Sequence, residues 1–348
     1  MLKNFVFVAV SALALAACGD EAGTGASGAR DQIKVVGSST LYPFTTAVAE
    51  QFVTKNPRFK AAVVESTGTG AGMKLFCAGV GANHPDIENA SRRMKKSEFE
   101  DCATNGVKDI VEIQVGIDGL ALIEAKNGPK MALTTEDIYK ALAANPYGKP
   151  NTAKTWKDVN AALPAVAIQV YGPPSTSGTR DSLAELILEK GCDANAEMKA
   201  LKTSDADKHK DLCTKVREDG AYIESGENDN LIVQKLAANP NAIGVLGYSF
   251  LEENLASVNG VKINNVAPTY ETIADFSYPG ARALYIYVKG AHLNAIPGLK
   301  EFLGEYASAW NPDGYLAKRG LIASPDAVRA ANAEVATKLT YMNGSDLK

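Results

Sequence analysis

Three short stretches of the chain place hydroxyls and glycines in the same order: "GSSTLY" (Gly37 to Tyr42), "STGTGAG" (Ser66 to Gly72) and "STSGTRD" (Ser175 to Asp181). Each follows a β-rich run and precedes residues with helical spacing, so each reads as a turn that opens a helix. A helix start exposes unpaired backbone N–H groups at the positive end of its dipole, and Ser or Thr hydroxyls add donors without bulk or competing charge. Three such ends brought together would cage an anion. Taken singly, each turn reads first as plain N-capping, the ordinary reason for Ser and Thr at a helix start. Two features favour the anion: glycines where a ligand would approach the backbone, and Arg180 directly after Ser177, Gly178 and Thr179.

Other chemistries fail on spacing. In "GTGAG" the third glycine of a dinucleotide fingerprint would fall on Met73, no G-x-x-x-x-G-K-[ST] loop is present, and the Ser177 region lacks G-x-S-x-G. The three histidines, His84, His209 and His292, stand in no motif and read as surface residues. No C-x-x-C spacing supports zinc. The expectation is therefore a binding protein with no catalytic residue, no cofactor and no metal. The alternatives are a phosphatase-like enzyme, which would need a metal cluster or activated nucleophile, and a lipoprotein sensor or adhesin that keeps the fold for a protein partner.

The elements that must position these turns alternate along the chain. "QIKVVGSS", "KAAVVES" and "DIENAS" read as strands, and the spacing of Phe44, Val48 and Phe52 predicts a helix that stops at Asn56 and Pro57. "VEIQVGIDGLALIEAK" reads as one long buried strand; "AVAIQVYG", "AIGVLGYSFL" and "ARALYIYVKG" are later strands, with helices between and after them. This order predicts α/β lobes with mostly parallel sheets.

The chain has 348 residues, 46% hydrophobic and 22% charged, enough for two lobes and a sizeable core. A net charge of -4 with no Lys/Arg stripe excludes a nucleic-acid partner. Lys3, the apolar run Phe5 to Ala17 and "LAAC" read as an export signal over residues 1–17 that ends in a lipobox, with Cys18 the lipidated first residue of the mature chain. Residues 18–32 read as a flexible tether. The expectation is an exported monomer held at a membrane by a lipid anchor. Of five cysteines, four remain after Cys18; an oxidising compartment and two local pairs predict the bridges Cys77–Cys102 and Cys192–Cys213.

With these residues in place, the chain resembles the phosphate-binding proteins of bacterial phosphate-specific ABC importers. "VVGSSTLYPF", "ESTGTGAG", "DIENASRRMKKSE", "IQVGIDGLAL", "PSTSGTRDS" and "NAIGVLGYSF" occur in that family's order. The resemblance implies a two-lobed Venus-flytrap fold of type II with two hinge crossings. Lobe I is expected over 33–114 plus 275–348 and lobe II over 115–274, closing on inorganic phosphate for a permease partner. Carried over by position, the ligands are Ser39, Thr40 and Leu41 (through its backbone N–H), then Thr69, then Ser177, Gly178 and Thr179, with Arg92 and Arg180 supplying charge. Two departures are plain. Arg92 stands where the family's proton-accepting Asp is found, and Pro173 stands where its other Arg is found. Asp118, Glu224, Glu227 and Asp229 are candidate replacement carboxylates, each read otherwise as a cap or solvated charge. Phosphate, sulfate, arsenate and a phosphonate stay open as the preferred anion.

Overall fold

Strands β1 (Lys34–Gly37), β2 (Val63–Ser66) and β3 (Ile87–Ala90) lie parallel with β1 in the middle, linked by helices α1 (Tyr42–Lys55) and α2 (Thr69–Phe76). Pro43 presets the first turn of α1, Val48, Ala49 and Phe52 face the core, and the helix ends at Asn56 ahead of Pro57. Helix α3 (Lys96–Thr104) then leads into β4 (Ile110–Ala125), a 16-residue strand. The structure is a computed structural model that describes residues 30–226 and 229–347. The expected signal segment 1–17, Cys18, the tether up to residue 29 and the candidate carboxylate Glu227 lie outside the described residues.

Beyond β4 come β5 (Ala132–Leu133), α4 (Thr135–Leu142), α5 (Trp156–Val159), β6 (Val170–Gly172), α6 (Gly178–Ser182), β7 (Tyr222–Glu224), β8 (Ile243–Gly247), β9 (Val258–Gly260), β10 (Lys262–Ile263) and β11 (Ala281–Lys289). Nine strands form one curled sheet in the order β2-β1-β3-β11-β4-β8-β6-β7, with β9 also on β4. The strand–helix alternation predicts mostly parallel pairing, but the sheet is mixed: β11 runs antiparallel to both β3 and β4, and β4 antiparallel to β8 and β9. β11 comes from the far end of the chain and enters between β3 and β4, running against both.

β4 changes partner partway along. Ile110 to Gly119 pair with β11 across a register shift at Val115, and Leu120 to Glu124 pair with β8. Each side of that change carries its own core. One gathers Val35, Phe52, Ile113, Phe302 and Tyr306, and the other Leu122, Ile138, Trp156, Ile187 and Val245. Each fully buried side chain of this size contributes about 1.5 to 3 kcal/mol, so either lobe has its own reason to fold. The molecule is thus a two-lobed α/β protein.

The sulfur atoms of Cys77 and Cys102 stand 1.96 Å apart, and those of Cys192 and Cys213 stand 1.99 Å apart. Two histidines correct the surface reading. His209 is buried with Nε2 2.8 Å from Asp193 Oδ1, and His292 is buried with Nδ1 2.6 Å from Asp86 Oδ1. Asp86 is fully enclosed and must find donors. Arg30 gives it two, at 3.0 and 2.9 Å, and the Lys34 N–H a third at 2.7 Å.

Candidate anion-binding site

Because β1, β2 and β3 are parallel, their carboxyl ends share one edge of the sheet, and the turns after all three open there. β1 ends at Gly37 with φ +124°, and a side chain there would place its Cβ 2.2 Å from the Asn89 carbonyl, so the turn requires glycine. The Ser38 N–H donates to that carbonyl at 2.8 Å, and the Thr40 N–H donates to Ser38 Oγ at 3.2 Å, which fixes Ser39 and Thr40 at the rim. Leu41 buries its side chain completely, so only its backbone faces the turn. At the start of α2, Thr69 Oγ1 accepts from the Ser91 N–H at 3.0 Å and lies 3.1 Å from Ser91 Oγ, tying the second turn to the third.

In the other lobe, β6 and β7 are parallel and end at the same edge. Ser177 caps α6, its Oγ accepting from the Thr179 N–H at 3.3 Å. The Arg180 Cζ stands over the Tyr222 ring, 4.2 Å from its centroid, with Nη1 3.4 Å from the Pro173 carbonyl and 3.8 Å from Glu224. The Tyr222 hydroxyl donates to the same carbonyl at 2.8 Å. Burial pushes the Tyr222 pKa up to about 12, against the pull of Arg180.

The two lobes meet where these turns face each other. A Cβ on Gly178 would stand 3.0 Å from the Thr40 Cα. Ser39 Oγ donates to Asp181 in the first turn of α6, a bond between lobes. Beneath them lies Arg282, only 9% exposed. Its Nη2 donates to Thr40 Oγ1 and to Ser182 Oγ, both at 2.9 Å, its Nε donates to Asp118 at 3.0 Å, and its Nη1 to Glu185. Asp118 also accepts from Ser182 Oγ at 2.5 Å. Burial would lower the Arg282 pKa, but Asp118 and Glu185 hold it above the ordinary guanidinium value.

Arg92 stands one residue past Ser91, its guanidinium in a fork with Glu98: Nη1 at 2.9 Å and Nη2 at 2.6 Å. Burial pulls its pKa down, and the Glu98 pair outweighs this and raises it. Burial likewise opposes ionisation of Glu98, yet Arg92 and the Lys95 N–H bring its pKa below the usual carboxylate value. The structure thus places Ser39, Thr40, Ser177, Gly178 and Thr179 around the meeting of the lobes. It sets Thr69 and Arg92 on neighbouring turns of the same edge, and Arg180 against β7. Of the candidate carboxylates, Asp118 is no solvated charge: it is the partner of Arg282. Glu224 sits beside Arg180, and Asp229 opens the helix Asp229–Ala238.

Sequence reasoning missed Arg282, Asp181 and Ser182. A signal for Arg282 exists: β11 alternates half-buried and buried positions from Ala281 to Leu284, and Arg282 occupies a buried one. A charge on the inward face of an apolar strand needs a partner, and Asp118 stands directly opposite it in register.

Comparison with known proteins matches the PBP superfamily domain over residues 22–309. Protein SphX of Synechococcus elongatus is 32% identical over 271 residues, covering 76% of this chain and 69% of SphX. The phosphate-binding protein PstS of Staphylococcus saprophyticus is 30% identical over 300 residues, covering 84% and 81%. Among solved structures, a possible phosphate binding protein from Planctomyces limnophilus superposes with a TM-score of 0.71 at 29% identity, covering 88% of this chain and 98% of that one. The two cores on either side of the partner change in β4 agree with these likenesses: the chain belongs to the PBP superfamily, in the group that holds PstS and SphX.

Proposed function

We propose that this protein is an extracytoplasmic receptor that captures inorganic phosphate between its lobes and delivers it to an ABC importer, with no chemistry of its own. The observation that carries the reading is the facing of Thr40 and Gly178, donor-rich turns from different lobes, over a buried guanidinium. The names of PstS and of the Planctomyces limnophilus protein support the choice of anion. Burying a multiply charged anion is tolerable only if its oxygens gain donors throughout. In this reading the hydroxyls of Ser39, Thr40, Thr69, Ser177 and Thr179 and the N–H groups of Leu41 and Gly178 supply neutral donors, while Arg92 and Arg180 supply charge. Closure follows by population shift, because donors from both lobes reach one ligand only in the closed form.

The proposal extends to parts not described by the structure: export by residues 1–17 and a lipid anchor at Cys18. It also includes monomeric action, two disulfide bridges at the paired cysteines, and lobes divided as 33–114 plus 275–348 and 115–274. The change of partner between Gly119 and Leu120 favours placing one crossing within β4. Asp181, which already accepts from Ser39, is the carboxylate best placed to accept a hydrogen bond from a protonated ligand oxygen. Calorimetry with phosphate and sulfate on anion-stripped protein tests the reading. Phosphate is expected to bind with sulfate at least roughly tenfold weaker; no heat with phosphate at any pH would sink it.

A further inference from the structure

Directly behind the lobe I turns lies a carboxyl group that anion capture as described does not use. Glu88, within β3, is fully buried, and neither of its oxygens has a hydrogen-bond partner among the described residues. The carboxyl is wedged between the end of β1 and the first turn of α2. A Cβ on Gly37 would stand 2.8 Å from its Oε1, and one on Gly72 would stand 2.3 Å from its Oε2. Gly37 leads into Ser38, Ser39 and Thr40, and Gly72 follows Thr69 by one helical turn. Both glycines thus leave room for the same acid at the rear of two proposed anion turns.

The charged and titratable groups around it are few. β1 and α2 meet it with glycines, Tyr287 stands opposite it in register on β11, Glu98 on α3 repels its charge, and Arg92 attracts it. A carboxylate enclosed without donors is costly, and the group escapes that cost by keeping its proton. Burial first, and Glu98 second, push its pKa well above the usual range, with Arg92 opposing.

We propose that Glu88 is the charge-setting residue of the anion site: it is held as a neutral acid behind the turns after β1 and β2, and its ionisation and anion capture exclude one another. This rests on the anion-capture reading above. The sign follows from electrostatics. A bound anion adds negative charge beside the acid and holds its proton more tightly, so capture takes up a proton wherever the empty protein has begun to lose it. Affinity then falls as pH rises through that range, by up to about tenfold per pH unit for one linked proton.

Calorimetric titrations with inorganic phosphate, run in parallel on wild type and Glu88→Gln from about pH 5 to about pH 10, cancel the titration of phosphate itself. The neutral isostere is expected to hold phosphate within roughly threefold of wild type at about pH 6, and the wild-type-to-variant affinity ratio to fall toward alkaline pH. A ratio constant within about twofold over the series, or a folded variant at least roughly tenfold weaker at about pH 6, overturns the proposal. Infrared spectra of the empty protein read the acid directly. A protonated-carboxyl band at neutral pH that Glu88→Gln lacks supports the assignment, and its absence from wild type overturns it. Should the variant not fold, the wild-type band alone decides: with phosphate it is expected to persist to higher pH, and an unmoved midpoint overturns the coupling. Loss of the band with phosphate binding intact removes only the role of Glu88. A wild type that shows the band and binds no phosphate removes the capture reading and the coupling together.

Discussion

Gly178 and Thr40 oppose each other across the cleft so closely that one methyl group on the glycine would stand 3.0 Å from the Thr40 Cα. The contact joins backbone to backbone, so no side-chain rotation relieves it. Gly178→Ala is expected to hinder closure while leaving each lobe intact. Phosphate affinity should drop at least roughly tenfold, about 1.4 kcal/mol, with thermal stability almost unchanged. Calorimetry alongside a melting curve separates this from general misfolding.

Removal of Arg282 should cost both stability and affinity. It neutralises Asp118 from the strand position directly opposite and holds Thr40 and Ser182. Arg282→Met would leave a mostly enclosed carboxylate without its partner, a loss of about 3 to 5 kcal/mol. Urea unfolding is the measurement, and a change under about 1 kcal/mol would show that the network does not hold the lobes' meeting point.

Asp181→Asn tests selectivity. The carboxylate can only accept hydrogen bonds and therefore suits an anion that still carries a proton, whereas the amide can also donate to a fully deprotonated one. The variant is expected to narrow the preference for phosphate over sulfate by roughly tenfold, measured by competition at constant ionic strength. An unchanged preference would exclude Asp181 as the discriminating group.

Arg180 stacks on Tyr222, 3.8 Å from Glu224. Arg180→Ala should weaken phosphate binding at least tenfold, a cost of about 1.4 kcal/mol or more. Arg180→Lys should not restore it fully, because a point charge lacks the flat, forked donor surface. Calorimetric titration of both variants decides this.

Far from the cleft, Lys289 is fully buried, with Nζ donating to the Gly79 carbonyl at 2.5 Å. Burial brings its pKa down to about 8, although Asp86 pulls the other way. A depressed folded value means the unfolded chain binds the proton more tightly, so this group's burden on stability is fully present below about pH 8 and disappears as pH approaches about 10.5. That burden is on the order of 3 kcal/mol, partly offset by a hydrogen bond of about 1 kcal/mol. Lys289→Met is thus expected to be more stable than wild type at about pH 7, and the gap to close by about pH 10. Chemical unfolding at the two pH values checks it.

Elements with a local cause were readable in the sequence. α1 follows from the spacing of Val48 and Phe52 with prolines at both ends, and β4 from a long run in which single polar residues stand between apolar ones, most of it buried. The strand–turn–helix order located the hydroxyl turns. What stayed hidden depends on register between distant segments. Arg282 and Asp118 are 164 residues apart, and Ser39 and Asp181 are 142 apart. No periodicity within either segment reveals such a pairing, and the mixed sheet was missed for the same reason, since β11 enters between β3 and β4 from the far end of the chain. Nothing in the short strand "DIENAS" marks Glu88, and the glycines packed against it show how enclosed it is.

One strand, β4, pairs with β11 on one stretch, across a register shift at Val115, and with β8 and β9 on the other. In the capture reading, closure is then expected to be absorbed as a twist of this shared strand. Amide-exchange rates along β4 would form a slow baseline on both sides of Val115, and against that internal ruler any ligand-dependent quickening or slowing at the rim could be read residue by residue.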